Sequence, residues 1–312
     1  MKIISFVACL ILFVSSPSIE GQDAQKTSSL EGRWDLVVDM SGNQSPAWLE
    51  VKHSGIKTLV GRVMFLFGSA RPISKISFDN GKFSFSIPPQ WDQGDADLQF
   101  EGNIMGETIE GTVVYTDNKT YKWTGTRAPA LNRNKKPVWA APVKLINGKD
   151  LQGWHASGKN QWVLESGVLK SPKPGSNLIT DKVFTDFKLH AEFRYPKDGN
   201  SGIYLRGRYE VQIRDSKGAE PLDDHFGSVY GLLPPNEMVA KDTSEWQSID
   251  ITLIGRRVTI VANGIAIITD QVIPGITGGA LDSKEGEPGP IMLQGDHEPI
   301  EFRNIVITPV KN

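Results

Sequence analysis

Cysteine is almost missing from this chain: Cys9 is the only one in 312 residues. It sits inside an apolar run, Ile3–Val14, which follows Lys2 and precedes Ser15, Ser16, Pro17 and Ser18. That order has the shape of an export signal, too short to span a bilayer comfortably. Cys9 also falls too early in the run for a lipid-modified cysteine. Residues 1–21 are therefore expected to be removed, with the cut between Ser16 and Gln22. The mature chain, periplasmic or secreted, would then carry no thiol, no disulfide and no cysteine-bound zinc. No second apolar run approaches membrane length, so no membrane span is expected. An excess of positive charge is missing too, with Lys+Arg 34 against Asp+Glu 36 and a net charge of -2. That argues against a nucleic-acid partner, whose phosphates need neutralising. The glycines lack the spacing of a phosphate-binding loop, so no nucleotide is expected. A neutral polyol suits such a balance.

Long helical periodicity is also lacking. Gly 31 and Pro 19 punctuate the chain closely enough to favour many short strands. Strand candidates between about residues 30 and 127 are Ala47–Lys52, Leu59–Phe67, Ile73–Phe78, Lys82–Ile87, Ala96–Ile104, Thr108–Tyr115 and Thr120–Gly125. Asp79, Asn80 and Gly81 form a hairpin signal between two of them. The pattern predicts a small up-and-down barrel or sandwich, loosely similar to lipocalin-like domains. Residues 128–142, with Pro129, Pro137 and Pro142 and no alternation, predict a semi-extended linker.

The remainder, 143–312, alternates more sharply. Phe187, Leu189, Ala191 and Phe193 share one strand face, while Lys188, His190, Glu192 and Arg194 share the other. Ile203 and Leu205 oppose Tyr204 and Arg206. Val211 and Ile213 oppose Glu210, Gln212 and Arg214. A half-solvated antiparallel sheet explains the alternation without any function. The polar faces, however, favour Glu, Gln, Arg, Tyr and His over the usual Thr, Lys and Ser, and those groups grip hydroxyls and carbonyls. A ligand-binding face is the expectation. Gln247–Ile254, Arg257–Val261, Ile265–Thr269, Gly289–Gln294 and Ile300–Thr308 complete a two-sheet sandwich, with Asn263-Gly264 as a further hairpin turn.

Several stretches of this half resemble the 3-keto-disaccharide hydrolase family, the DUF1080 domain family. They are LINGKDLQGW (Leu145–Trp154), WVLESGVL (Trp162–Leu169), GNSGIYLR (Gly199–Arg206), YEVQIRD (Tyr209–Asp215) and GSVYG (Gly227–Gly231). Glu245-Trp246, IMLQGDH (Ile291–His297) and EFRNI (Glu301–Ile305) follow in family order. Three positions depart from the family pattern: Gln247 stands for an asparagine, Gly295 interrupts a Gln-Asp-His run, and Gly227–Gly231 varies the tyrosine motif. The resemblance implies an all-β fold, a concanavalin A-like jelly roll of two antiparallel sheets with the site on its concave sheet. It also implies cleavage of glycosides oxidised at C3, so the expected partner is a glycoside or oligosaccharide.

A ketone at C3 acidifies the C2 proton and lies β to the glycosidic oxygen. A base can then drive elimination, and water completes a net hydrolysis. This chemistry needs a base, an oxyanion stabiliser and an acid. Glu210 is the first candidate for acid/base work, His297 the second, and Arg206 the candidate for gripping an enolate or sugar oxygen. Gln212, Tyr230, Gln294, Asn200, Glu192, Tyr204 and Trp246 are candidate substrate contacts. The competing roles are an ion pair for Glu210 and ordinary hydrogen bonding for the rest. A conventional two-carboxylate glucanase is disfavoured, because Gln212 cannot be a nucleophile and Asp215 has the wrong parity. No cofactor is required, although Asp223-Asp224-His225 and Asp296-His297-Glu298 offer hard ligands through which a divalent ion could act. A non-catalytic carbohydrate-binding module on the same sandwich is the alternative from another class.

Overall fold

The computed structural model describes residues 29–311, so the expected export signal and Cys9 lie outside the described residues. Alternation is realised as strands nearly everywhere the sequence shows it. The first eight are β1 (Gly32–Met40), β2 (Asn43–Ser54), β3 (Thr58–Phe65), β4 (Arg71–Asp79), β5 (Lys82–Ile87), β6 (Leu98–Met105), β7 (Thr108–Val114) and β8 (Thr120–Arg127). Each pairs antiparallel with the next, and β8 returns to β1 to close an up-and-down barrel. Asn80 and Gly81 both take positive φ, 48° and 80°, as a two-residue hairpin turn demands. Trp34, Leu36, Val38, Phe65, Phe85, Phe100 and Trp123 fill the interior.

The sandwich comprises β9 (Val143–Lys144), β10 (Trp154–Ala156), β11 (Val163–Glu165), β12 (Val168–Ser171), β13 (Leu178–Phe184), β14 (Phe187–Arg194), β15 (Asn200–Leu205), β16 (Tyr209–Arg214), β17 (Gln247–Ile254), β18 (Arg257–Ala262), β19 (Ile265–Val272), β20 (Gly289–Leu293) and β21 (Ile300–Pro309). One sheet runs β10-β13-β20-β15-β16; the other runs β11-β12-β21-β14-β17-β18-β19, with β9 against β21. This is the expected jelly-roll sandwich of two antiparallel sheets. Its core holds Phe187, Leu189, Phe193, Ile203, Val211, Ile213, Leu293 and Phe302 from both sheets. The edge strand β16 is not left bare. A segment through Phe226–Tyr230 lies along it, with Gln212 N donating to Ser228 O (3.0 Å) and Tyr230 N to Glu210 O (3.1 Å).

Barrel and sandwich are bonded side by side. Trp48 of β2 points out of the barrel, is fully buried in the sandwich core, and donates from Nε1 to Ile276 O at 2.7 Å. Burying about 200 Å² of indole contributes roughly 5 kcal/mol as an upper figure. Beside it Arg33 of the barrel pairs with Glu285 of the sandwich, which also takes Arg256 at 2.9 Å and the Tyr209 hydroxyl at 2.7 Å. Residues 128–142 run against the sandwich rather than free of it: Arg133 Nε donates to Asp186 at 2.7 Å, and Ala140 N donates to Pro309 O at 2.8 Å.

Candidate functional site

The outer face of the five-stranded sheet carries the chemistry. Strand parity turns Ile203, Leu205, Val211 and Ile213 into the core, and turns Asn200, Tyr204, Glu210 and Gln212 outward. Glu210 is only 4% exposed. Its Oε2 lies 2.8 Å from Tyr204 Oη, whose single proton is shared between that carboxylate and Gly278 O at 2.9 Å. Gln212 turns its amide nitrogen to Glu210 Oε1 at 3.2 Å. Space for the carboxylate is made by Gly202 across the strand pair, where any Cβ would collide with it. Burial pushes the Glu210 carboxyl up to about 8, against the opposing pull of the Tyr204 hydrogen bond and the His297 charge.

Removing that pull has a defined sign. In Tyr204→Phe the anion of Glu210 loses its donor, so any activity requiring ionised Glu210 should show its acid limb displaced to higher pH. A hydrogen bond to a charged group is worth roughly 1.5–3 kcal/mol, so the rate at neutral pH should fall about ten- to a hundredfold. A pH–rate profile of the variant checks it.

Four further expected residues join Glu210. Tyr230 is carried by the segment along β16. Burial raises its phenol, the Glu210 charge adds to that, and the Trp91 indole opposes it, so the hydroxyl stays a donor at neutral pH. His297 follows β20, and its Nδ1 lies 2.7 Å from Asp296 Oδ1. That hydrogen bond raises its pKa above the usual imidazole value, partial burial opposes it, and Asp296 and Glu210 add their charges. Gln294 is buried beside them; its Oε1 has no partner among the described residues. With Gln212 so turned, its carbonyl oxygen lies 3.2 Å from the Asn200 amide.

Two more groups belong here that the sequence reading did not name as site residues. Arg214 continues the parity of Glu210 and Gln212, and its charge reaches Tyr230 while it pairs with Asp224 at 2.7 Å. Parity on one strand was signal enough to find it. Trp91 comes from the barrel, and nothing local in the sequence announces it.

Other expected residues are placed elsewhere. Glu192 lies on β14, in the other sheet, where it pairs with Arg303 at 2.6 Å and Asn304 at 2.6 Å on the opposite outer surface. Trp246 is on that surface too, its ring flanked by Arg303 at 3.9 Å and Arg194 at 4.8 Å. Arg206 leaves the face because β15 ends at Leu205 and Arg206 takes φ 55° in the turn. Its guanidinium is buried against Gly255 O (2.7 Å) and Tyr209 Oη (3.1 Å), away from Glu210. Of the two acidic clusters, Asp224 is taken by Arg214 and Asp296 by His297. Among the described residues no group of three or more His, Cys, Asp or Glu side chains is gathered as a metal site would gather them.

A buried glutamate and several amides converge on one face of the sandwich, as polar groups do at a ligand site. The chain belongs to the family described as the 3-keto-alpha-glucoside-1,2-lyase-like domain, whose model matches residues 141–308. A 3-keto-disaccharide hydrolase of Bacteroides thetaiotaomicron is 30% identical over 121 residues, which span 33% of this chain and 41% of that relative. Two crystal structures from Parabacteroides distasonis, provisionally assigned as glycosyl hydrolases, are similar over the sandwich. One is 28% identical with a TM-score of 0.46, covering 58% of this chain and 96% of that one. The other is 24% identical with a TM-score of 0.44, covering 54% and 98%.

Proposed function

We propose that this protein cleaves glycosides whose sugar carries a ketone at C3, and that it does so by elimination. The observation that carries the reading is Glu210, a carboxyl held near pH 8 by burial and close enough to feel the charge of His297, whose own pKa the Asp296 hydrogen bond raises. Such a pair supplies a base and an acid at one site. Glu210, ionised, takes the proton from C2. The electron pair moves toward the C3 carbonyl, whose oxygen is met by the Tyr230 hydroxyl and the Arg214 cation. As the enolate collapses, C1=C2 forms, the C1–O bond breaks, and His297 protonates the departing oxygen. Water added across C1=C2 restores a free 3-keto-sugar. Gln212, Asn200 and Gln294 are available to hold hydroxyls, and the unpaired Gln294 oxygen is suited to accept from one.

The reaction as written calls for no organic cofactor. The apolar run before Pro17 supports work in the periplasm or medium. The test is release of the leaving group from a 3-keto-glucoside deuterated at C2 and from its unoxidised parent. Cleavage of the ketone alone, slowed by deuterium, supports elimination. Cleavage of both without an isotope effect supports ordinary glycoside hydrolysis instead, and binding without cleavage of either supports a carbohydrate-binding module.

A further inference from the structure

Trp91 lies on the loop between β5 and β6, at the edge of the barrel, and its indole is 68% exposed. An aromatic of that size left in solvent is unusual enough to need a reason. The loop around it is not slack. Asp92, buried at its carboxylate, accepts from Arg71 Nη1 at 3.0 Å, from Gln90 N at 3.2 Å and from the Tyr115 hydroxyl. Arg71 also donates to Pro88 O at 3.0 Å. Gln90 then grips Ser69 twice, accepting from Ser69 N at 2.9 Å and donating to Ser69 Oγ at 2.8 Å.

Ser69 is the link to the site. It packs against Gly231, the neighbour of Tyr230, so closely that a side chain there would not fit. Gly68 packs just as closely on Gly278, the residue whose carbonyl receives the Tyr204 hydroxyl. The Trp91 ring itself lies against Gly68. The barrel therefore wedges its Gly68-Ser69 turn, gripped by Gln90 of the Trp91 loop, against Gly231 and Gly278, and it holds an unshielded aromatic face beside Tyr230.

The geometry points to Trp91 as a substrate-binding residue supplied by the barrel: a platform on which a pyranose ring of the glycoside stacks while Glu210 works on the sugar. The apolar C–H face of a pyranose matches an indole ring. A ring held in place by its own loop loses little conformational freedom on binding. Among the substrates of the reading above, this favours those with a second ring over methyl glycosides.

The inference rests on the proposed activity, and the experiment separates the two. With the full chain, steady-state cleavage of a 3-keto-disaccharide is compared for wild type, Trp91→Ala and Trp91→Phe. The expected result is a KM raised about tenfold in the alanine variant, with kcat within about twofold and the phenylalanine variant largely restored; stacking of this kind is worth about 1.4 kcal/mol. An unchanged KM in Trp91→Ala overturns the inference and leaves the activity standing. If wild type cleaves no keto-glycoside, calorimetric titration with the same disaccharide decides the point. Weaker binding by the alanine variant supports the platform, and equal binding overturns it.

Discussion

Glu210→Gln should abolish turnover while leaving the protein folded. Loss of a positioned acid/base group costs on the order of 100- to 10,000-fold in kcat. Here Gln preserves the shape of the side chain and its hydrogen bond from Tyr204. The same substitution should stabilise the fold in alkaline solution. The folded carboxyl titrates at about 8, against 4.5 for an unperturbed glutamate, so between those values the native state holds a proton that the unfolded chain has lost. Wild-type stability therefore falls as pH rises through that window. Glutamine carries no such slope. Melting curves of both proteins from pH 5 to 9 should diverge as pH increases, with the inactive variant the more stable. A glutamine variant that keeps its kcat removes Glu210 from the mechanism.

The second large effect is expected far from any sugar. Glu285 is fully buried between two arginines, Arg33 of the barrel and Arg256 of the sandwich, and it also receives the Tyr209 hydroxyl. Glu285→Ala leaves the buried Arg256 without its anion and Arg33 with only Asp35, 3.7 Å away. Breaking a buried pair in this way costs about 3–5 kcal/mol, because the desolvation remains after the attraction is gone. Urea denaturation should show it as a lowered midpoint. Asp35, beside the cluster, is pushed up by burial and then by the Glu285 charge. It serves as the control: Asp35→Asn keeps the neutral form and should change stability little at neutral pH. A silent Glu285→Ala variant means that the arginines find other partners or reach water.

Much of this fold was legible because strand parity is local. Seven of the eight barrel strands lie within a few residues of their expected places, β1 having had no strand assigned to it, and the Asn80-Gly81 and Asn263-Gly264 turns both took the positive φ that their residues invite. Parity also put Glu210, Gln212 and Tyr204 on one face, where they remain together. What parity cannot say is which strands are neighbours. The face of β14 looks as rich in gripping side chains as that of β16, yet the strands belong to different sheets, so Glu192 and Trp246 went elsewhere. Arg206 failed for a smaller reason, since the strand stopped one residue before it and the turn reversed its direction. Trp91 was out of reach altogether. Its place beside Tyr230 is decided by how barrel and sandwich pack, and no spacing in a linear sequence records that.

The segment that delivers Tyr230 has a second consequence. By pairing with β16 it occupies the backbone groups that an open sheet margin would offer to another chain. Substitutions that loosen Phe226–Tyr230 would thus expose a template for self-association at the same moment that they empty the site of its phenol. The site and the solubility of the chain would be lost together.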